Sequence, residues 1–197
     1  MSFSTQLFEG KLVRLAPINH DIDPQVESRW THDLAFLRSM DRKLAMPLSV
    51  AQVKKKYEAI EKEVDETKRL FHFTIRAKED NRLLGYVRIE WIEWTHGTGS
   101  LRLGIGDPLV RNQGYGSDAL QLILRFAFME LNLYRLSILV GEDNPDAMRF
   151  FTRFGFIEEV RRRKAIHRDG QEWDLVHLGI LRDEWLSPAV EGKVSDE

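Results

Sequence analysis

Arg111, Gly114 and Gly116 stand in the order arginine, two residues, glycine, one residue, glycine, inside the stretch Leu109-Val110-Arg111-Asn112-Gln113-Gly114-Tyr115-Gly116-Ser117. A short apolar run, residues 101–105, precedes them, and a long amphipathic run, residues 120–131, follows. Strand, glycine-containing loop, helix is the expected order. Such a loop can leave backbone N–H groups pointing outward, and the helix N-terminus adds partial positive charge on the same side. The chemistry on offer is capture of a phosphate or pyrophosphate. Gly114 and Gly116 permit positive φ and let an anion approach the backbone closely. A Walker loop is excluded, because no glycine is followed by lysine and then serine or threonine. Gly104 and Gly106 begin a dinucleotide pattern, but Leu109 fills its third glycine position. An ordinary strand-to-helix turn is the competing reading of the loop taken alone.

The elements that must position this loop can be read in order. Residues 11–17 alternate in polarity until Pro17 stops them, which predicts a first strand. Val26, Trp30, Leu34 and Leu37 recur at helical spacing, so residues 21–37 predict one or two short helices. Ser49 offers an N-cap for an amphipathic helix through Val53, Tyr57, Ile60 and Val64, whose Lys54-Lys55-Lys56 run reads as a solvated face. Residues 70–77 and 83–91 predict a hairpin about the turn 78–82, and residues 100–105 return as the strand entering the glycine loop. Residues 120–131 predict a helix packed on a sheet, with Asp118, Gln121 and Arg125 as a narrow polar edge. Residues 135–140 predict a strand. Asn144-Pro145 starts a short helix that runs to about Arg153 and ends near Gly155. Residues 156–166 and 173–181 then predict a hairpin about a tight Asp169-Gly170 turn. Arg161-Arg162-Arg163-Lys164 reads as a charged strand end, and residues from Ser187 onward as a loose tail.

The chain has 197 residues, enough for one sizeable core, and reads as a single domain over 1–197 with its core at about 10–185. A hydrophobic content of 43% with 30% charged residues belongs to the soluble globular class. A net charge of -2 gives no reason to expect a nucleic-acid surface. The absence of cysteine excludes disulfides, thiolate metal sites and a cysteine nucleophile, and fits a cytoplasmic protein. Residues 1–9 lack the basic start and apolar core of a signal peptide, and no apolar run approaches membrane-spanning length. No metal and no membrane partner are expected.

The Arg111, Gly114, Gly116 order resembles the acetyl-CoA loop of the GNAT acetyltransferase superfamily. The segment Asn144-Pro145-Asp146-Ala147-Met148-Arg149-Phe150-Phe151-Thr152-Arg153-Phe154-Gly155-Phe156 is similar to a second motif of that family, an asparagine before a short helix that closes with Gly-Phe. Arg168-Asp169-Gly170-Gln171-Glu172-Trp173-Asp174 and Leu181-Arg182-Asp183-Glu184-Trp185 further resemble its Rim-type branch, which includes acetyltransferases of ribosomal-protein N-termini. The resemblance implies an α/β fold with a mixed, mainly antiparallel central sheet flanked by helices. In it, a splayed parallel strand pair forms the acetyl-CoA cleft. It implies that the pantetheine arm pairs with backbone near Ile105 and Gly106. The pyrophosphate would rest on the amides of Gln113, Gly114, Tyr115, Gly116 and Ser117, with Arg111 and Asn112 also among the cofactor-binding residues, and Asn144 and Phe151 would meet the cofactor arm.

The implied reaction is transfer of acetyl from acetyl-CoA to a primary amine of a protein N-terminus or small molecule. The amine must lose its proton, and the tetrahedral oxyanion needs a donor such as a backbone N–H near Ile105. Where many relatives carry a tyrosine as thiolate acid, this chain has Phe151; where many Rim-type relatives carry a glutamate, it has Ser100. Glu90 and Ser100 lead the catalytic candidates, with Glu93, His72 and His96 behind them. Glu90 reads more readily as a solvent-facing strand residue. Trp91 and Trp94 read as acceptor-cleft lining or, at least as readily, as core. The competing function is a catalytically weak acyl-CoA-binding sensor, and a nucleotide-binding domain is disfavoured by the loop. A monomer or a homodimer is expected.

Overall fold

The structure is a computed structural model that describes residues 6–40 and 45–187. Apart from Ser187, the tail expected from that residue onward lies outside the described residues. In chain order the elements are β1 (Val13–Ala16), α1 (Asp23–Trp30), α2 (Leu34–Met40), α3 (Val50–Thr67), β2 (Phe71–Ala77), β3 (Leu83–Glu93) and β4 (Thr98–Ile105). A 3-10 turn over Pro108–Val110 leads into α4 (Tyr115–Arg125). Then follow β5 (Arg135–Gly141), α5 (Pro145–Arg153), β6 (Ile157–Arg168), β7 (Gln171–Leu181) and α6 (Arg182–Leu186). The strands lie in one sheet in the order β1-β2-β3-β4-β5-β7-β6. It is mixed, mainly antiparallel and flanked by helices, with the parallel pair at β4 and β5. No helix among the described residues is long and apolar enough to cross a membrane.

The described residues form two compact units, one of residues 6–40, 45–92 and 101–131 and the other of residues 93–100 and 132–187. In the first unit, β2 pairs antiparallel with β1 and β3. Alternation along β2 sends Phe71, Phe73 and Ile75 to one face and His72, Thr74 and Arg76 to the other. Phe71 and Phe73 each make a T-shaped contact with Phe126, and Phe8 meets Phe73 and Phe126. The helix expected over residues 120–131 starts earlier, at Tyr115, and its last turn is π-helical over Phe126–Glu130. The apolar pattern marks only the buried stripe, while the first turn is polar and glycine-bearing; periodicity therefore misses the true start. α3 begins where Ser49 predicts. The Ser49 hydroxyl accepts from the Gln52 N–H, and the Gln52 side chain accepts from the Ser49 N–H at 2.8 Å, a complete capping box. Val53, Tyr57 and Ile60 of α3 pack with Leu70.

In the second unit, β5 is parallel to β4 at three register positions, Thr98↔Arg135 to Ser100↔Ser137. It runs antiparallel to β7 from Arg135↔Leu181 to Gly141↔Leu175. β6 and β7 form the expected hairpin. Asp169 and Gly170 both sit at positive φ, 53° and 73°, as a two-residue turn matched to the strand twist requires.

Candidate active site

The glycine loop is built as a helix start without a side-chain cap. Gly114 occupies the N-cap of α4 at φ 84°, a region that costs an L-residue strain, and it offers no side-chain oxygen to the amides behind it. Asn112, two residues earlier, also lies at positive φ, 61°. The first helical bond closes only at Asp118, whose N–H reaches the Gly114 carbonyl at 3.0 Å. The amides of the first turn therefore have no intrahelical acceptor, and Asn112, Gln113 and Gly114 are exposed. This arrangement fits a pyrophosphate: the helix end is positive, and the glycine cap puts no side-chain oxygen of its own on the first-turn amides.

Arg111 works inward. Its Nε donates to the Ile105 carbonyl at 3.1 Å and its Nη2 to the Gly106 carbonyl at 2.9 Å, while Nη2 also pairs with Asp33 at 2.7 Å. Burial alone would raise the Asp33 carboxyl, but the Arg111 hydrogen bond and charge outweigh it and hold Asp33 below its ordinary value. Arg111 thus clips the loop to the end of β4. The Gly106 N–H is already bonded to the Leu84 carbonyl at 2.8 Å, so the amide that could serve an oxyanion here belongs to a neighbour. A Cβ at Gly104 would enter Met40, and one at Gly106 would enter the ring of Trp30. The two glycines let α1 and α2 close directly onto this end of β4, where Trp30, Phe36 and Met40 pack with Leu83 and Tyr86.

Along the same faces of β3 and β4 lies a set of charged groups. Glu90 is buried, 9% exposed, which corrects the solvent-facing reading. Its Oε1 accepts from Arg102 Nε at 3.1 Å and Nη2 at 2.5 Å, and Arg102 also donates to the Met40 carbonyl. Arg88 Nε lies 3.2 Å from Glu90 Oε2, a charge contact that is not aligned as a hydrogen bond. Lys56 is likewise not part of a solvated face: it pairs at 2.6 Å with the buried Glu27, which also accepts from the Tyr57 hydroxyl. α3 turns this one lysine of its run inward because Lys56 falls beside Val53 and Ile60 in the helical repeat.

His72 projects from β2 into this set, its register partner being Arg88. Both ring nitrogens are buried without a partner among the described residues. Burial first, then the charges of Arg88 and Lys56, push its pKa down to about 3 from the ordinary 6.5. The unfolded chain takes up this proton near the ordinary value while the folded chain refuses it. Between pH 6.5 and about 3 the unfolded state therefore binds more protons, and stability falls with falling pH. The expected loss from this group is up to about 1.4 kcal/mol per pH unit. Urea unfolding of wild type and His72→Gln at neutral pH and at about pH 5 checks it; an equal acid loss in the two proteins refutes the assignment.

Trp91 and Trp94 are exposed, 56% and 47%, so the core reading of them fails. The hairpin carries them to the start of β4, and the glycine loop follows its other end. Glu93 and His96 are exposed at the same turn. Ser100 is half-buried on β4 opposite Ser137 of β5. The second unit holds the remaining candidates. Asn144 caps α5, its Oδ1 accepting from the Ala147 N–H at 3.1 Å. Phe151 is 4% exposed and packs in T-shaped contact with Phe150 and Phe156 at 4.9 and 5.5 Å. Phe151→Tyr is accordingly expected to lower stability by about 1–3 kcal/mol through an unpaired buried hydroxyl. Thermal melts check this; unchanged stability with faster turnover would instead place the hydroxyl at a leaving sulfur.

Sequence reasoning missed Asp118, Arg88 and Lys56. Asp118, taken for a polar edge, is 8% exposed and accepts from the backbone N–H groups of Lys11, Leu12 and Val13. Its position in the first turn of an apolar helix was the available signal, since an acid there both faces the helix dipole and can bond a neighbouring backbone. Among the described residues no group of three or more histidines and carboxylates is placed to hold a metal.

Comparison with known proteins gives this geometry a context. The family model described as "Acetyltransferase (GNAT) domain" matches residues 13–157. A prophage-derived uncharacterized N-acetyltransferase of Bacillus subtilis, YokL, is 28% identical over 153 residues, 78% of this chain and 82% of that protein. A second uncharacterized N-acetyltransferase of that bacterium, YnaD, is 33% identical over 57% of this chain and 65% of its own length. The crystal structure of spermidine N-acetyltransferase from Vibrio cholerae in complex with CoA and spermine superposes with a TM-score of 0.76 at 18% identity. That match covers 89% of this chain and 98% of the other.

Proposed function

The chain belongs to the GNAT acetyltransferase family and is an acetyl-CoA-dependent acetyltransferase; from that premise we propose that it acetylates a primary amine of a small molecule. The observation that carries the reading is the start of α4: a glycine N-cap at positive φ, amides without helical acceptors, and Arg111 clipping the loop to β4. Gln113, Gly114, Tyr115, Gly116 and Ser117 would hold the pyrophosphate, with Asn112 shaping the loop and Arg111 acting from behind. Ile105 and Gly106 would border the pantetheine arm, their carbonyls sharing a second lone pair beyond the one Arg111 uses. When bound, acetyl-CoA supplies the thioester whose acetyl group passes to the amine as CoA thiol is released.

Glu90 is assigned to positioning. Its carboxylate already takes two bonds from Arg102, and through Arg102 it ties α2 to the sheet. Removal of the amine proton then runs through water, with Ser100 as a polar neighbour on β4. A small-molecule acceptor is supported by the spermidine N(1)-acetyltransferase of Vibrio cholerae, 24% identical over 58% of this chain and 65% of its own length. The Rim-type features at residues 168–174 and 181–185 support the peptide N-terminus as the competing acceptor. A thiol-release screen with acetyl-CoA against small amines and short peptides tests the proposal. Release with small amines is expected. Release only with peptides would move the acceptor to protein N-termini. CoA binding without release from any amine would make the chain an acyl-CoA sensor.

A further inference from the structure

We propose that the acceptor amine also carries a carboxylate, received by Arg88 with His72 as a second donor, and that polyamines are poor substrates. The inference rests on the acetyltransferase reading and concerns only what that reaction accepts. The face in question is formed by His72, Thr74 and Arg76 of β2, by Tyr86, Arg88 and Glu90 of β3, and by Arg102 and Gly104 of β4. It leads to the Ile105–Gly106 end of β4, which the glycine loop adjoins.

A polyamine needs open carboxylates for its further ammonium groups. Here the inward carboxylates already have cations: Glu27 holds Lys56, Glu90 holds Arg102 and stands in charge contact with Arg88 at 3.2 Å without an aligned hydrogen bond, Asp23 holds Arg76 at 2.6 Å, and Asp33 holds Arg111. What the face lacks is acceptors. The Arg88 Nε–H and the ring of His72, which when neutral offers one N–H donor and one acceptor nitrogen, are buried with no hydrogen-bond partner among the described residues. Buried donors of this kind normally find one, and an orphaned donor costs stability until it does. A carboxylate supplies the acceptor oxygens and matches a guanidinium in shape and charge. The Arg88 side chain keeps 12% of its surface exposed and Lys56 keeps 33%, so the rim of the group meets solvent while the orphaned nitrogens lie beneath it. Lys56 and Arg88 both lie over the ring of Tyr86, at 5.3 and 5.6 Å, which holds two positive charges about that ring. The depressed basicity of His72 agrees with a positive surrounding. Gly106 is bonded to Leu84 of β3, and Arg88 lies further along the same strand, so the acceptor has its amine and carboxylate separated by a flexible chain.

The test pairs acceptors that differ in the carboxylate: lysine against cadaverine, aminohexanoate against pentylamine, and spermidine beside them. Thiol release from acetyl-CoA by wild type should be at least about tenfold more efficient, in kcat/KM, for the carboxylate member of each pair than for its partner or for spermidine, a difference the charged hydrogen bond can supply. Arg88→Gln should remove that preference by raising KM for the carboxylate acceptors at least about tenfold, leaving KM for acetyl-CoA unchanged. Arg88→Lys keeps the charge and should retain part of the preference, which guards against a Gln variant that fails to fold; melting curves of both report folding. Faster turnover of cadaverine or spermidine, failure of every carboxylate acceptor, or an equal effect of Arg88→Gln on both members of a pair overturns the inference. A wild-type chain that binds no CoA by calorimetry would sink the acetyltransferase reading, whereas CoA binding with a preference for polyamines would sink this inference alone.

Discussion

Gly114→Val is expected to abolish measurable CoA binding in a protein that still folds. Gly114 is the N-cap of α4 at φ 84°, and a β-branched residue resists that angle at a cost of about 1–3 kcal/mol. The loop can relieve the strain by rotating, which turns the amides of the first turn away from a common point. A Cβ at this position would also lie 3.1 Å from Leu12 Cδ1, so the inner side offers little room. The valine methyl groups then stand where a pyrophosphate must approach. An affinity loss of at least about 100-fold, ~2.7 kcal/mol, is expected by calorimetry, with the circular-dichroism spectrum retained. Unchanged affinity in the folded variant would show that this glycine only turns the chain. It would also return the loop to the ordinary strand-to-helix turn that its six residues alone allow.

Asp118→Ala should be strongly destabilising. Its carboxylate takes the N–H groups of Lys11 at 3.0 Å, Leu12 at 2.6 Å and Val13 at 2.8 Å, and so fastens the start of β1 to the first turn of α4. Lys11 and Leu12 are exposed and can turn their amides to water once the carboxylate is gone. Val13 is fully buried, so its donor is left without a partner, at about 1–3 kcal/mol. Two weaker losses and a lost charge at the helix N-terminus, the latter ~0.3–1 kcal/mol, bring the expected total to about 3–5 kcal/mol. Gly10 adds a geometric check, because a Cβ there would run into the Asp118 carboxylate; Gly10→Ala should therefore weaken the same fastening. Urea unfolding of Asp118→Ala and Asp118→Asn measures the effect. The asparagine keeps an acceptor oxygen and should lose less. A loss below about 1 kcal/mol for alanine would mean that these bonds contribute little beyond what water provides.

What the sequence by itself determined was local. The arginine-glycine-glycine loop, the Ser49 capping box, the Asn144-Pro145 helix start and the Asp169-Gly170 turn each depend on residues within a few positions of one another. Their chemistry is set by φ preference and by the reach of one side chain to a nearby amide, and it reads out in any fold that contains them. The amphipathic stripe of α4 was legible for the same reason, although its polar first turn was not. What only the tertiary structure decided was which distant groups meet. Asp118 bonds residues more than a hundred positions away, Glu27 is joined to Lys56 across 29, and Arg111 to Asp33 across 78. Alternation told that Glu90 and Arg88 share a face of β3, but it could not tell that α1, α2 and α3 cover that face and make their charges buried. A carboxylate has no periodicity of its own; its surroundings are set by sheet order and helix docking, and those arise from the summed packing of the whole chain rather than from any one stretch of it.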